Sequence, residues 1–516
     1  MIRRLSLDDL AAIRKQSQPL TGGIAPATSS ALFKTQRSLQ KPPSRNFNHR
    51  LNNESRVREA ATLKAAGAEL SGRVLSLATG RPSPEYFPLL DLSFKFCQPN
   101  DFVMHHSRSE KVQTNGQHGD RDLSVDIPAS LSYGYAGGSE ILVRFLTEHI
   151  EAIHDPPYSN WEVFLNIGST SAIEHAFRMF CTRGDYILVE EYTYSGTLEA
   201  MTPLGLRTAT VKMDEQGISA KDLESVLSHW DEGERGFGKP FLLYTIPTGH
   251  NPTGVTQSFQ RRKEIYQIAE KHDLLVIEDD PYYYLQFTTQ EATSESNSSQ
   301  HSSDLDGYLQ SLVPSYLSMD VSGRVIRLDS TSKILGPGLR CSWMTTNSDI
   351  ASKIRNHYDV GVVCPSGLSQ LVMSHLLEEK WGHRGFTQWL VYLRDEYANR
   401  RDTIIKACKK HLPLDICSWQ VPSAGMFLWI NLDWRQHSLT SKFNDETLSK
   451  PFADVEDSLY RGGLRQGALC CKGSAFFASN ETPENMFLRV SFASISLQQL
   501  DMAIQRLGKA VREEFH

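Results

Sequence analysis

Between residues 110 and 350 the chain switches repeatedly from short apolar runs to amphipathic stretches of helical period, and this alternation confines it to few folds. Trp161 to Ile167 reads as a strand. Ser169 to Thr182 places Ile173, Ala176, Phe177 and Phe180 on one helical face, Arg183-Gly184-Asp185 turns, and Tyr186 to Glu190 is a strand again. The switch recurs: Phe241 to Ile246 is apolar, Gln257 to Lys271 is amphipathic, and Leu274 to Ile277 is a short buried run. Parallel strands need a crossover, and a helix supplies it, so the pattern predicts an α/β domain with a mostly parallel sheet. After Ser366 a long helical stretch runs to Lys410. Mixed strands and helices ending in Leu497 to Glu514 then predict a smaller α+β domain.

The length of 516 residues, 40% of them apolar, suffices for two or three domains. Residues 1–60 read as an N-terminal arm, irregular from 17 onward where Ser, Pro, Gln, Asn and Arg dominate. The expected order is then 61–110 as the N-terminal part of the small domain, opening on a helix-forming run from Glu59, 111–375 as the large domain, and 376–516 as the C-terminal small domain. Within the large domain, residues 288–306 are Ser-rich and acidic with little to bury, and read as an exposed insertion.

A net charge of -6 offers no basic surface for a nucleic acid. No run of 18 apolar residues predicts a membrane span, and the first 30 residues lack the apolar core of a secretory signal. The start is basic at Arg3, Arg4, Arg14 and Lys15 but carries Asp8 and Asp9, which disfavours a mitochondrial presequence. Eight cysteines without a CxxC pair suggest reduced thiols. The expectation is a cytoplasmic protein, with mitochondrial import as the alternative.

In an open parallel sheet, ligands bind beyond the carboxyl ends of the strands. Four such ends carry unusual residues. Gly168-Ser169-Thr170-Ser171 opens a helix with a glycine and hydroxyls, which suits an anion or an ordinary N-cap. Glu278-Asp279-Asp280 is either a solvated strand end or a buried one that needs a cationic or N–H partner. Pro247 to Gly254 (PTGHNPTG) forms a tight loop that can turn the Asn251 amide inward. Asp329-Ser330-Thr331-Ser332-Lys333 boxes a lysine among hydroxyls and leads to Gly336-Pro337-Gly338-Leu339-Arg340. A phosphate wants a helix N-terminus, hydroxyls and an arginine; a protonated pyridine wants a carboxylate; a phenolic oxygen wants Tyr and Asn donors; an aldehyde wants a lysine amine. Pyridoxal 5'-phosphate (PLP) combines all four.

The sequence resembles the fold-type I PLP-dependent aminotransferases, in the branch of the fungal aromatic amino acid aminotransferases and the kynurenine/2-aminoadipate aminotransferases. The likeness spans about residues 70 to 514 and is carried by LATGRP from Leu77, YGYAGGSEIL from Tyr133, Gly168-Ser169-Thr170, Tyr192 to Gly196, PTGHNPTG, EDDPYYYLQF, DSTSKILGPGLR and FLRVSFA from Phe487. It implies that Lys333 attaches to the cofactor and shuttles the substrate proton, and that Asp279 keeps the pyridine nitrogen protonated. The family places its ring-oxygen tyrosine three residues after the aspartate, which selects Asp279 over Asp280 and gives Tyr282. Asn251 would share that oxygen and border the substrate. Tyr194 would stack on the ring, and Ser169, Thr170, Ser330, Ser332 and Arg340 would hold the phosphate. Many relatives carry Gln where this chain has Thr170, which weakens that one assignment. Arg489 would bind the substrate α-carboxylate, with Gly80 and Arg81 beside the substrate, Arg81 meeting a distal carboxylate or making a surface ion pair. Tyr133 would reach the phosphate of a neighbouring subunit, which implies a homodimer with shared active sites. The small domain would draw on both chain ends, because Gly80 and Arg489 serve one site.

The implied reaction is transamination between an aromatic amino acid (Phe, Tyr or Trp) and a 2-oxo acid such as 2-oxoglutarate. A 2-aminoadipate, kynurenine or pathway-specific aminotransferase fits the same motifs, and so do other PLP reactions. Ser330 to Lys333 also satisfies the S-x-x-K pattern of serine acyl enzymes, but neither SDN nor KTG accompanies it. An aminotransferase-like transcription regulator would need a basic DNA-binding domain, for which about 70 arm-like residues leave little room.

Overall fold

Strand Trp161–Asn166, helix Ser169–Phe180 and strand Tyr186–Glu190 follow one another as the periodicity predicts, and helix Phe259–Lys271 leads into strand Leu275–Asp279. The computed structural model describes residues 4–17, 20, 27–61, 80, 82–89, 91–99, 102, 127–287, 304–439, 449–479 and 485–515. Element ends depart from the pattern where a cap decides them. Ser258 accepts from Arg261 N and starts its helix at Phe259, leaving Gln257 outside to donate to Thr245 Oγ1 at 3.0 Å. Asn52 Nδ2 donates to the carbonyls of Arg178 and Cys181, which closes the Ser169–Phe180 helix before Thr182.

The chain forms two compact units, Met1–Thr182 with Ser296–Tyr392 and Arg183–Glu295 with Leu393–His516. In the first, strand Ser342–Asn347 runs antiparallel to both Trp161–Asn166 and Val325–Ser330. Helix Glu140–Ile153 is buried on nearly every side, and the stretch after Ser366 is helical as expected, with a π-helical segment His375–Trp381 between helices Gly367–Ser374 and Gly382–His411.

The arm is anchored by buried apolar side chains, Leu7, Leu10, Phe33, Phe47 and Leu51, and by polar contacts. Its helix Leu7–Gln16 opens on a reciprocal Ser6–Asp9 capping box, and Arg14 Nε donates to the buried Glu148 at 2.8 Å. Lys34 is buried over the Trp161 ring, 4.3 Å from its centroid, and donates to the Ser159 and Trp161 carbonyls. Burial pushes its ammonium down to about 8, against the opposing pull of Glu162 and Glu151. Of the expected insertion, residues 288–303 lie outside the described residues. Its last three belong with helix Leu305–Ser311, capped by Asp304 and holding Leu305 in the core.

In the second unit four strands lie parallel in the order Leu275–Asp279, Leu242–Thr245, Tyr186–Glu190, Arg207–Val211. Four more form an antiparallel sheet in the order Cys417–Trp419, Phe427–Leu432, Met486–Ser491, Cys471–Lys472. A hydrophobic core including Ile404, Leu428, Ile430, Leu488 and Ile504 covers one face of this sheet. The PTGHNPTG loop crosses the lead-in to Phe427–Leu432 so closely that a Cβ on Gly249 (φ +53°) would lie 2.7 Å from Gly425 Cα. That crossing brings Asn251 to the antiparallel sheet. Among the described residues, no helix is long and apolar enough to cross a membrane.

Candidate active site

In the first unit, strand Trp161–Asn166 hands over to helix Ser169–Phe180 through Gly168, whose φ of +104° disfavours any side chain. A Cβ there would also meet Arg340 Nη2 at 2.1 Å. Arg340 follows the turn Pro337–Leu339 in the left-handed conformation and extends back to this junction, donating to Pro337 O at 3.0 Å and Ile167 O at 3.4 Å. Ser169 Oγ is buried with no hydrogen-bond partner. A helix N-terminus, an orphaned hydroxyl and a guanidinium at a side-chain-free cradle fit a phosphate dianion. Thr170 is exposed.

Strand Val325–Ser330 runs into the turn Thr331–Lys333, where Ser330 Oγ accepts from Ser332 N at 3.1 Å and Thr331 Oγ1 donates to Cys341 O at 2.6 Å. Lys333 is half-buried at the end of this turn. The next residue is pinned by Trp389, whose indole Nε1 donates to Ile334 O at 2.6 Å. Tyr133 is 57% exposed, and Gly80 is exposed with open space about it. Arg81 lies outside the described residues.

The second unit gathers Tyr194, Asn251, Asp279, Tyr282 and Arg489. Asp279, 4% exposed, accepts from Tyr244 Oη at 2.7 Å. Burial and the neighbouring Asp279 and Glu190 carboxylates hold the Tyr244 phenol well above its ordinary range, so it stays a donor. Tyr282 is raised in the same way, by burial and by Asp279, against the opposing charge of Arg489. Asn251 Oδ1 accepts from Arg489 Nη1 at 2.8 Å, which leaves Nδ2 as the donor end of the amide. Behind Asn251, His250 is wedged between Glu190 Oε2 at 3.0 Å and Thr253 Oγ1 at 2.9 Å, bracing the loop. Tyr194 precedes helix Ser195–Leu204, and its ring folds back over Gly196, where a Cβ would meet Cζ at 2.5 Å.

The motifs do not reveal Tyr244, Cys471, Phe427 or Phe476. Tyr244 pairs with Ile277 across parallel strands, so it shares a face with Asp279 two residues on. An apolar strand was readable at Phe241 to Ile246, but the cross-strand register that gives Tyr244 its partner was not. Cys471, Phe427 and Phe476 all border Arg489.

The family model for aminotransferase class I and II matches residues 128–507. The chain belongs to the class I and II aminotransferases. Members of this family use PLP. This aminotransferase is 41% identical over 471 residues to aminotransferase swnA of Arthroderma benhamiae, covering 91% of this chain and 92% of that protein. It is 35% identical to an aromatic amino acid aminotransferase of Schizosaccharomyces pombe, over 91% and 98% of the two chains. The crystal structure of aminotransferase Aro8 from Candida albicans superposes with a TM-score of 0.82 at 36% identity, covering 92% of this chain and all of that one. The aminotransferase thus has the fold-type I architecture that the sequence resemblance implied.

Proposed function

We propose that this aminotransferase binds PLP and moves the amino group of an aromatic amino acid (Phe, Tyr or Trp) to a 2-oxo acid such as 2-oxoglutarate. The observation that carries the substrate class is the near full-length likeness to an aromatic amino acid aminotransferase, 35% identical over 98% of that protein.

When bound, PLP supplies an aldehyde and an electron-withdrawing ring. The Lys333 amine would hold the aldehyde and would move the proton at the substrate α-carbon. Asp279, fixed by Tyr244, keeps the proton on the ring nitrogen. Asn251 Nδ2 and Tyr282 Oη would donate to the ring oxygen, and Tyr194 would cover the ring face. Ser169, Ser330, Ser332 and Arg340 hold the phosphate, with Thr170 the weakest member because it is exposed. Arg489 takes the substrate α-carboxylate in a planar fork, while Gly80 and Arg81 border the substrate side chain. Exposed Tyr133 reaches the phosphate of a second copy in a homodimer. All eight cysteines are free, which supports a reducing compartment such as the cytoplasm.

A second reading, an aminotransferase dedicated to one pathway, is favoured by the higher identity to swnA. Steady-state kinetics with 2-oxoglutarate and a panel of donors separates the two. The aromatic reading expects kcat/KM for Phe, Tyr or Trp to exceed that for 2-aminoadipate and kynurenine by about tenfold or more, a step that side-chain contacts in a pocket can supply. No aromatic turnover, with another amino acid accepted, overturns it and leaves the aminotransferase activity standing.

A further inference from the structure

We propose that Cys471 is a positioning residue for Arg489, a sulfur acceptor that orients the guanidinium for a substrate carboxylate where a carboxylate partner would compete with it. The proposal rests on the assignment of Arg489 as the carboxylate-binding residue. Cys471 and Arg489 are register partners across the antiparallel pair Cys471–Lys472 and Met486–Ser491, so both side chains leave the sheet on one face. Cys471 Sγ accepts from Arg489 Nη2 at 3.1 Å, and Asn251 Oδ1 accepts from Nη1 at 2.8 Å. These two contacts lie at the guanidinium nitrogens. Perpendicular freedom is restricted by Phe427 and Phe476, whose ring centroids each lie 4.5 Å from Cζ.

Four groups therefore hold one cation, and none of them is a carboxylate. Among the described residues, Arg489 forms no ion pair. The guanidinium has five N–H donors; the contacts to Asn251 and Cys471 engage two, and Nε is buried with no partner. An arginine already paired with a carboxylate would meet an incoming anion as a neutral pair. Here the charge and the remaining N–H groups are kept for the ligand, and a thiol serves where Asp or Glu would compete.

The test is calorimetric titration of the full-length holoenzyme with the deaminated analogue of its best donor, 3-phenylpropionate for phenylalanine or adipate for 2-aminoadipate. Neither probe carries an amine, so binding is read without turnover. Cys471→Val is expected to weaken binding about tenfold, the scale of a hydrogen bond to a charged group, and to raise KM for the donor with kcat held within about threefold. Cys471→Ser should restore the affinity, and Cys471→Asp should bind more weakly than Cys471→Val because it supplies a competing anion. Thermal melting identifies any variant that does not fold; if Cys471→Asp fails, the Val-against-Ser comparison decides. If Cys471→Val and Cys471→Asp both bind within twofold of the parent while Arg489→Ala loses binding, the positioning role is overturned and the carboxylate assignment stands. If Arg489→Ala binds like the parent, the carboxylate assignment itself fails.

Discussion

A carboxylate buried as deeply as Asp279 is costly unless its oxygens are satisfied, and here the phenol of Tyr244 in the neighbouring strand satisfies one of them. The contact ties a structural requirement to the proposed chemistry, because an Asp279 held as an acceptor can keep a proton on the ring nitrogen. Tyr244→Phe removes the donor and little volume. It is expected to lower kcat/KM about tenfold, the scale of one hydrogen bond to a charged group, and to lower the melting temperature by a few degrees because a buried carboxylate loses its donor; an unaltered kcat/KM would show that the contact does not serve catalysis. The candidates Asn251, Asp279, Lys333, Arg340 and Arg489 come from local motifs, where neighbours in sequence mark them. Tyr244 and Cys471 acquire partners only through strand register, Tyr244 opposite Ile277 and Cys471 opposite Arg489, and a lone sequence does not display register.

Among elements, the junction from Trp161–Asn166 into Ser169–Phe180 needs a glycine both for its backbone conformation and for the approach of Arg340. Gly168→Ala would force a side chain at φ +104° and 2.1 Å from Arg340 Nη2. Apo protein of this variant is expected to bind PLP at least about tenfold more weakly, since displacing the arginine removes a charge-assisted contact; a fluorescence titration indistinguishable from the parent would contradict the phosphate cradle.

The arm is tied to the first unit by side-chain donors: Lys34 donates to the Ser159 and Trp161 carbonyls, and Asn52 to those of Arg178 and Cys181. Lys34 also makes the arm's docking pH-dependent. Its folded value of about 8 lies below the ordinary 10.5, so between those limits the unfolded chain holds a proton that the folded chain has released. Stability from this group therefore rises with pH across that window. Against Lys34→Met, which lacks the gain, the parent should improve by roughly 1 kcal/mol per pH unit from pH 8 to 10 in denaturant titrations; parallel pH profiles would contradict the burial of a charged amine.

At the scale of the molecule, the α/β alternation and the mixed strands and helices of the C-terminal part were legible from periodicity, because long amphipathic helices and short apolar strands differ in repeat, whereas the antiparallel pairing of those strands was not. Of the residues proposed for the chemistry, Lys333, Ser169 and Arg340 belong to one compact unit and Asp279, Tyr282, Asn251 and Arg489 to the other. The central claim is that Lys333 makes this family member a working PLP aminotransferase. The most direct measurement is the absorption spectrum of the purified full-length protein with PLP through one cycle of substrate. The parent is expected to show a band at the violet edge of the visible that is lost on adding phenylalanine and returns on adding 2-oxoglutarate, whereas Lys333→Ala does not complete the cycle. Absence of any such band in the parent, or the same reversible cycle in Lys333→Ala, would contradict the account.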